Sequence, residues 1–242
     1  MNSRQKGFLR NKEIINAVTR CGVLDTDQIT SLIFSRLPSG RRIAQRRLKS
    51  LFDRGKLKRA RDSIDLPYYY YTGEKPGQPE HKLAVNWVYL WYTLRLKSWE
   101  ELYCFQYEQD YGILRSDALA GIKNTVTGKI SFSFVEMDIA KSGNSFDKVA
   151  KYNLLYESDR YLSAWWVKYA SGFPSVFVVT TNNKRLRSIQ KWIDRDNKNG
   201  LEFQVYLLDQ IKGECQNEDN SLLLSAKGVK QRKDSGVSKI LR

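Results

Sequence analysis

Apolar residues recur at helical spacing in three places before residue 55. Ile14, Ile15 and Val18 share one face of Lys12 to Arg20, and Ile29, Leu32 and Ile33 share one face of Asp27 to Phe34. The third and strongest stretch is SGRRIAQRRLKSLFDRGKLKRARDS, Ser39 to Ser63. Here Ala44, Leu48, Leu51 and Phe52, with Ile43 beside them, form an apolar stripe, while Arg42, Gln45, Arg46, Lys49 and Asp53 fall on the opposite side. The pattern predicts three helices. Asp25 or Thr26 is placed to cap the second and Ser39 the third, and Gly55 stands where a left-handed residue ends a helix. Two short strands follow, about Leu57 to Arg61 and Tyr68 to Tyr71, joined by a polar loop that holds Pro67. Three helices and a hairpin are the order of a winged helix-turn-helix domain, in which the third helix enters the major groove and the hairpin meets the flanking backbone.

TGEKPGQPE, Thr72 to Glu80, is the most linker-like segment, and it divides a first domain at 1–75 from a second at 76–213. His81 to Leu96 is apolar over much of its circumference, with Leu83, Trp87, Leu90, Trp91 and Leu94 as its main stripe, and is expected to be a buried helix joining the two. Beyond it, strand and helix patterns alternate. Leu102 to Tyr107, Ile113 to Leu119, Lys129 to Asp138, Ser175 to Thr180 and Glu202 to Leu208 read as strands; the stretch from Asn144 or Ser145 to Tyr156 and Lys184 to Arg195 read as helices. This is an α/β arrangement. In Lys129 to Asp138, Ile130, Phe132 and Phe134 lead into Glu136 and Asp138 on one face, while Ser131 and Ser133 give way to Val135 and Met137 on the other. A strand of that kind is covered on both sides near its end, with the acids at its C-terminal tip. Residues 214–242 are expected to form a flexible basic tail: the last eighteen hold six Lys or Arg against one Asp.

Charge sharpens the reading of the first domain. The chain of 242 residues holds 41 Lys and Arg against 26 Asp and Glu. Residues 1–62 contain 16 of the former and 5 of the latter, a net of +11, which leaves only +4 for the other 180. A cationic module of that density attracts polyanions, nucleic acid above all. Arg41, Arg42, Gln45, Arg46 and Lys49 are the candidate base and backbone contacts on the helix; Lys56, Lys58, Arg59 and Arg61 are the phosphate contacts expected of the hairpin. No run of eighteen apolar residues occurs and no signal-like core opens the chain, so a soluble cytoplasmic protein is expected. Cys21, Cys104 and Cys215 are far apart and odd in number, which indicates neither a disulfide framework nor a zinc cluster. His81 is the single histidine, and nothing around it suggests a nucleophile.

The second domain concentrates carboxylates. Glu136 and Asp138 are two apart on a strand and share a face; with Asp117 on a neighbouring strand, three carboxylates would converge, with Lys148 and Lys151 one helix later. Oxygen ligands of that kind suit Mg²⁺, with Asp117 and Glu136 as metal ligands and a lysine to orient a water for phosphodiester hydrolysis. The alternative is that they are strand-end carboxylates paired with Lys or Arg.

The order of these parts, a winged helix-turn-helix, an aromatic helix beginning at His81, then Ser116-Asp117, FVEMD ending at Asp138, and the K-x-x-K-Y of Lys148, Lys151 and Tyr152, resembles the replication-relaxation proteins of plasmids and conjugative elements. The resemblance spans nearly all of residues 10–210. It implies an α+β protein whose second domain is similar to the PD-(D/E)XK nucleases, of restriction-endonuclease-like type with a mixed central sheet. It further implies double-stranded DNA as ligand and a relaxase or replication initiator as partner, and leaves a homodimer open. Asp117 matches the first acid of the nuclease pattern and Glu136 the second, while Asp138 stands where such a nuclease has its catalytic lysine and Ser116 where it has proline. A carboxylate cannot supply positive charge to the attacking water, so the expectation is a DNA-binding accessory protein of mobile-element replication or relaxation, without cofactor. An active Mg²⁺-dependent nickase requires Lys148 or Lys151 to reach back to the acids. A winged-helix transcriptional regulator is the other alternative.

Overall fold

The first helix, α1 (Ser3–Cys21), is opened by a reciprocal cap: Asn2 Oδ1 accepts from the Gln5 N–H at 2.9 Å, and Asn2 N–H donates to Gln5 Oε1 at 3.0 Å. It ends at Gly22, whose φ of +74° suits glycine. A strand the periodicity did not announce follows, β1 (Val23–Asp25). Three residues are too few to show a period. Asp25 then caps α2 (Thr26–Ile29) with Gln28 completing the box, and a wider π turn (Thr30–Phe34) continues it. The computed structural model describes residues 2–139 and 145–216; Asn144 and the basic stretch 217–242 lie outside the described residues.

Helix α3 (Gly40–Asp53) buries Ala44, Leu48 and Leu51, as the stripe requires. Ser39 occupies the capping position without a side-chain hydrogen bond. The tighter constraint is Gly40: a Cβ there would lie 2.3 Å from the Phe34 carbonyl oxygen, so only glycine permits this approach of α3 to the preceding turn. At the other end Gly55 N–H donates to Phe52 O and Lys56 N–H to Leu51 O, at 2.8 and 2.9 Å, with Gly55 left-handed at φ +66°. Strands β2 (Lys58–Ala60) and β3 (Tyr69–Tyr71) complete a small antiparallel sheet of order β1-β3-β2.

Helix α4 (Pro79–Leu94) has Pro79 in its first turn. It is buried nearly all round, Ala84 to Leu90 without a break, because it is covered from both directions. It meets β1, α2 and the π turn on one side and β4, β5, β6 and α7 on the other. One apolar cluster therefore runs from Ile14, Leu24 and Leu48 through Trp87 and Leu90 to Val135, Phe177 and Val179. At its centre Asn86 donates to Val23 O (2.5 Å) and Cys21 O (3.3 Å) and accepts from Tyr107 Oη at 2.7 Å.

The large sheet has the order β4-β5-β6-β7-β8. Its first three strands, β4 (Glu100–Asp110), β5 (Arg115–Asn124) and β6 (Ile130–Asp138), are antiparallel; β7 (Ser175–Thr180) and β8 (Phe203–Leu207) run parallel to β6. The crossovers contain α5 (Lys148–Glu157) and α6 (Asn183–Asp196). Ile130, Phe132 and Phe134 of β6 pack toward α5 and α6, and Val135 and Met137 toward α4, the exchange of faces the strand pattern expressed. The architecture is mixed α and β, with seven α-helices among the described residues and a five-stranded mixed sheet. The helix expected from Asn144 or Ser145 starts only at Lys148, and the last strand stops at Leu207 because α7 (Leu208–Gln216) begins there. Glu214 accepts from Trp91 Nε1 at 2.6 Å and Cys215 is buried, so 214–216 belong to the folded body and not to a tail. No helix among the described residues is long and apolar enough to cross a membrane.

Candidate nucleic-acid interface and carboxylate site

The outward face of α3 holds Arg41, Arg42, Gln45, Arg46 and Lys49, all exposed. Arg42, Gln45 and Arg46 make no hydrogen bond or ion pair among the described residues. Arg41 meets Asp27 and Lys49 meets Asp53, each at 2.8 Å on the surface. Exposed pairs of this kind contribute only about 0–1 kcal/mol, so a phosphate can displace them. Arg47 points the other way, donating to Gly7 O (3.0 Å) and Asn11 Oδ1 (2.9 Å) to tie α3 to α1. On the hairpin side Lys56, Lys58 and Arg61 are exposed, with Lys58 Nζ donating to Gly73 O and Arg61 to Ile64 O. Arg59 is half-buried, its guanidinium 4.2 Å from the Phe52 ring centre and 4.4 Å from that of Tyr68. It packs α3 against the hairpin and is a weaker phosphate candidate than its neighbours.

The carboxylates lie where β5 and β6 part. Their regular pairing ends at Ala118 and Val135. One residue beyond, Asp117 replaces the ladder with its side chain: Oδ2 accepts from the Met137 N–H at 2.7 Å. Its Oδ1 is 3.0 Å from His81 Nε2, on the first turn of α4. That hydrogen bond raises the His81 pKa against the opposing effect of burial. Glu136 is almost wholly buried, and both its oxygens are engaged. Tyr152 Oη donates to Oε1 at 2.6 Å, and Lys148 Nζ lies 2.8 Å from Oε2 while also donating to Arg115 O. Burial pushes the Glu136 carboxyl up to about 7; Lys148 opposes this and the charge of Asp117 adds to it.

The structure thus brings Asp117, Glu136 and Lys148 together. It does not bring Asp138 or Lys151 to them. Asp138 shares the Glu136 face, but α6 supplies a buried partner: Arg185 Nε lies 3.1 Å from both Asp138 oxygens and Nη2 2.6 Å from Oδ2. Lys151 faces outward and pairs with Asp147 one turn earlier. Three participants were not among the site residues expected from the sequence, although Tyr152 and His81 belong to the motifs that carry the resemblance. Tyr152 stands four residues after Lys148, and so on the same helical face, but reads as one more apolar position. His81 and Arg185 carry no local signal, since their partners are 36 and 47 residues away.

A divalent cation does not fit these groups as they stand. Each oxygen of Asp117 and Glu136 faces a donor or a histidine nitrogen, so a cation would have to compete with Lys148 and Tyr152 for Glu136 and with His81 for Asp117. Among the described residues no group of three or more His, Cys, Asp or Glu side chains is placed to hold an ion. Compared with protein-family models, with curated proteins and with solved structures, the chain matches none of them.

Proposed function

We propose that the protein binds double-stranded DNA, with α3 in the major groove and the β2–β3 hairpin on the flanking backbone, as an accessory factor in plasmid or mobile-element replication or relaxation. The observation that carries this reading is the outer face of α3, where Arg42, Gln45 and Arg46 stand exposed and unengaged on a helix whose inner face is locked into the core. Arginine and glutamine so placed are suited to bidentate contacts with guanine and adenine edges. The order α1-β1-α2-α3-β2-β3 and the sheet order β1-β3-β2 support a winged helix-turn-helix. Three antiparallel strands after α4, then a parallel strand after α5, support a nuclease-like second domain of the PD-(D/E)XK kind. The mobile-element role rests on the family resemblance.

Binding without cleavage is the reading the carboxylate site favours. Lys148 does reach Glu136, as a displaced catalytic lysine would, but with Tyr152 it holds the carboxylate in a buried pair. The test is fluorescence anisotropy with a labelled duplex of about 30 bp, long enough for more than one helical turn of contact. If Lys49, Lys56, Lys58 and Arg61 neutralise phosphates, log affinity falls with log salt with a slope of about −3.6 between about 50 and 200 mM. Arg42→Ala combined with Arg46→Ala then weakens binding at least ~10-fold, since a good bidentate pair supplies about 1–3 kcal/mol. Affinity insensitive to salt, or untouched by the double substitution, would sink the assignment. Supercoiled plasmid incubated with Mg²⁺ or with EDTA should stay unnicked; metal-dependent nicking abolished by Glu136→Ala would put an active nuclease in place of the binding-only reading.

A further inference from the structure

The free edge of the large sheet bears an aromatic cluster that duplex binding does not use. Strand β4 is irregular between Leu102 and Cys104, and the irregularity breaks the alternation of faces. Tyr103 and Cys104 therefore both turn toward Phe132. Tyr103 meets Tyr169, from the 3₁₀ turn Val167–Tyr169, and Trp165, from the link between it and the 3₁₀ turn Arg160–Ser163, with the three ring centres 5.9–6.3 Å apart. Core aromatics of this size are normally enclosed, yet Tyr103, Trp165 and Tyr169 remain 38%, 37% and 43% exposed. The indole is held in place: Trp165 Nε1 donates to Gln106 Oε1 at 3.1 Å.

Charge indicates what covers the rings. Lys168 Nζ lies 4.9 Å from the centre of Tyr169, on the platform itself. Trp165 also lines a cleft of about 810 Å³ with Arg160, Asp110 and Asp159. Partly exposed rings held in place beside a lysine complement a ligand that has both flat rings and negative charge. Apolar protein surface would use the rings and leave the lysine to be desolvated without a partner. We propose that Tyr103, Trp165 and Tyr169 form a stacking platform for the bases of single-stranded DNA, with Lys168 taking an adjacent phosphate. The platform lies on the large sheet and is independent of α3, so either surface can fail without the other.

The experiment uses the full chain carrying Arg42→Ala and Arg46→Ala, which suppresses binding through α3, and a fluorescein-labelled oligothymidylate of about 20 nucleotides, longer than one typical single-strand site. Trp165→Ala and Tyr169→Ser in that background should each weaken binding about 10-fold or more, the loss expected from one stacked base. Tyr169→Phe, which keeps the ring, should retain it. The same aromatic substitutions on the native α3 should leave duplex affinity unchanged. If Trp165→Ala unfolds, Tyr169→Ser and Lys168→Glu, both at exposed positions, decide the matter. The proposal is overturned if the oligonucleotide is not bound, or if it is bound with equal strength after the rings are removed. Concentration-dependent dimerisation that disappears in Tyr169→Ser would also overturn it, since a second copy would then cover the patch.

Discussion

Asp138 stands where a nuclease would have its lysine, and Arg185→Met tests whether its role is structural. The pair is deeply enclosed, with side-chain exposures of 1% for Arg185 and 7% for Asp138, and the guanidinium spans both carboxylate oxygens. Removing the arginine strands a buried carboxylate, at a cost of about 3–5 kcal/mol. For a chain of this size each kcal/mol lowers Tm by about 2–4 °C, so the fall should be roughly 6–20 °C. The pair as a whole is worth much less than its breakage, because bringing two charges out of water offsets most of their attraction. Asp138→Leu with Arg185→Met should therefore recover most of the loss, leaving a coupling energy of about 3 kcal/mol or more in a double-mutant cycle. Arg185→Lys should fall between, since an ammonium cannot span both oxygens as a fork does. Urea unfolding followed by tryptophan fluorescence gives the values for these variants and for Asp138→Leu alone, the remaining corner of the cycle, and an unchanged m-value would show that the unfolded reference is the same. If Arg185→Met costs under about 1 kcal/mol, or the double substitution is no better than the single, the pair is not the buried unit described and the argument fails. Duplex affinity should be equal in all five proteins, because neither residue is near α3.

Two further outcomes follow from the same geometry. Burial raises the carboxyl of Glu136 to about 7 and that of Asp25 to about 6, so between about pH 4 and 7 the folded state holds protons the unfolded state has lost. Stability must then fall as pH rises through that window, by about 3 kcal/mol from Glu136 alone at 1.36 kcal/mol per unit. Thermal unfolding at the two ends should show a smaller fall in Glu136→Gln than in the native chain, and an equal fall would refute the assignment. Asn86→Leu strands the Val23 and Cys21 carbonyls and the Tyr107 hydroxyl in the core, and should cost about 3 kcal/mol in urea unfolding; a change within about 0.5 kcal/mol would show that these bonds do not hold α4 in place.

What could be read from the sequence was what repeats locally. The α3 stripe, its end at Gly55 and the two-faced pattern of β6 are all short-range, and the structure places them as the spacing implies. Periodicity assigns a residue to a face and is silent about what lies opposite. Glu136 and Asp138 share a face and differ in fate, because α5 brings Lys148 and Tyr152 to the first while α6 brings Arg185 to the second. That division depends on how two crossover helices pack over one strand end. Trp165 and Tyr169 were equally hidden, since an aromatic in a short turn has no period, and exposure is decided by where the sheet ends. The dense aromatics of α4 had the opposite outcome: Trp91 and Tyr92 are packed on Phe177, 5.1 and 5.6 Å between ring centres.

The position of α4 limits how α3 and the large sheet can move relative to each other. Gln28 Nε2 donates to Leu83 O at 2.7 Å, Asn86 binds β1 and receives Tyr107 from β4, and His81 on the same helix meets Asp117. One rigid element therefore holds α2, the neighbour of α3, at one end of its contacts and the β5–β6 fork at another. A swing of α3 relative to the carboxylates would have to open a continuous apolar cluster and break the Asn86 bonds together, which costs far more than the about 1–3 kcal/mol released by one base contact. The outer face of α3 is thus held at a fixed spacing from the large sheet.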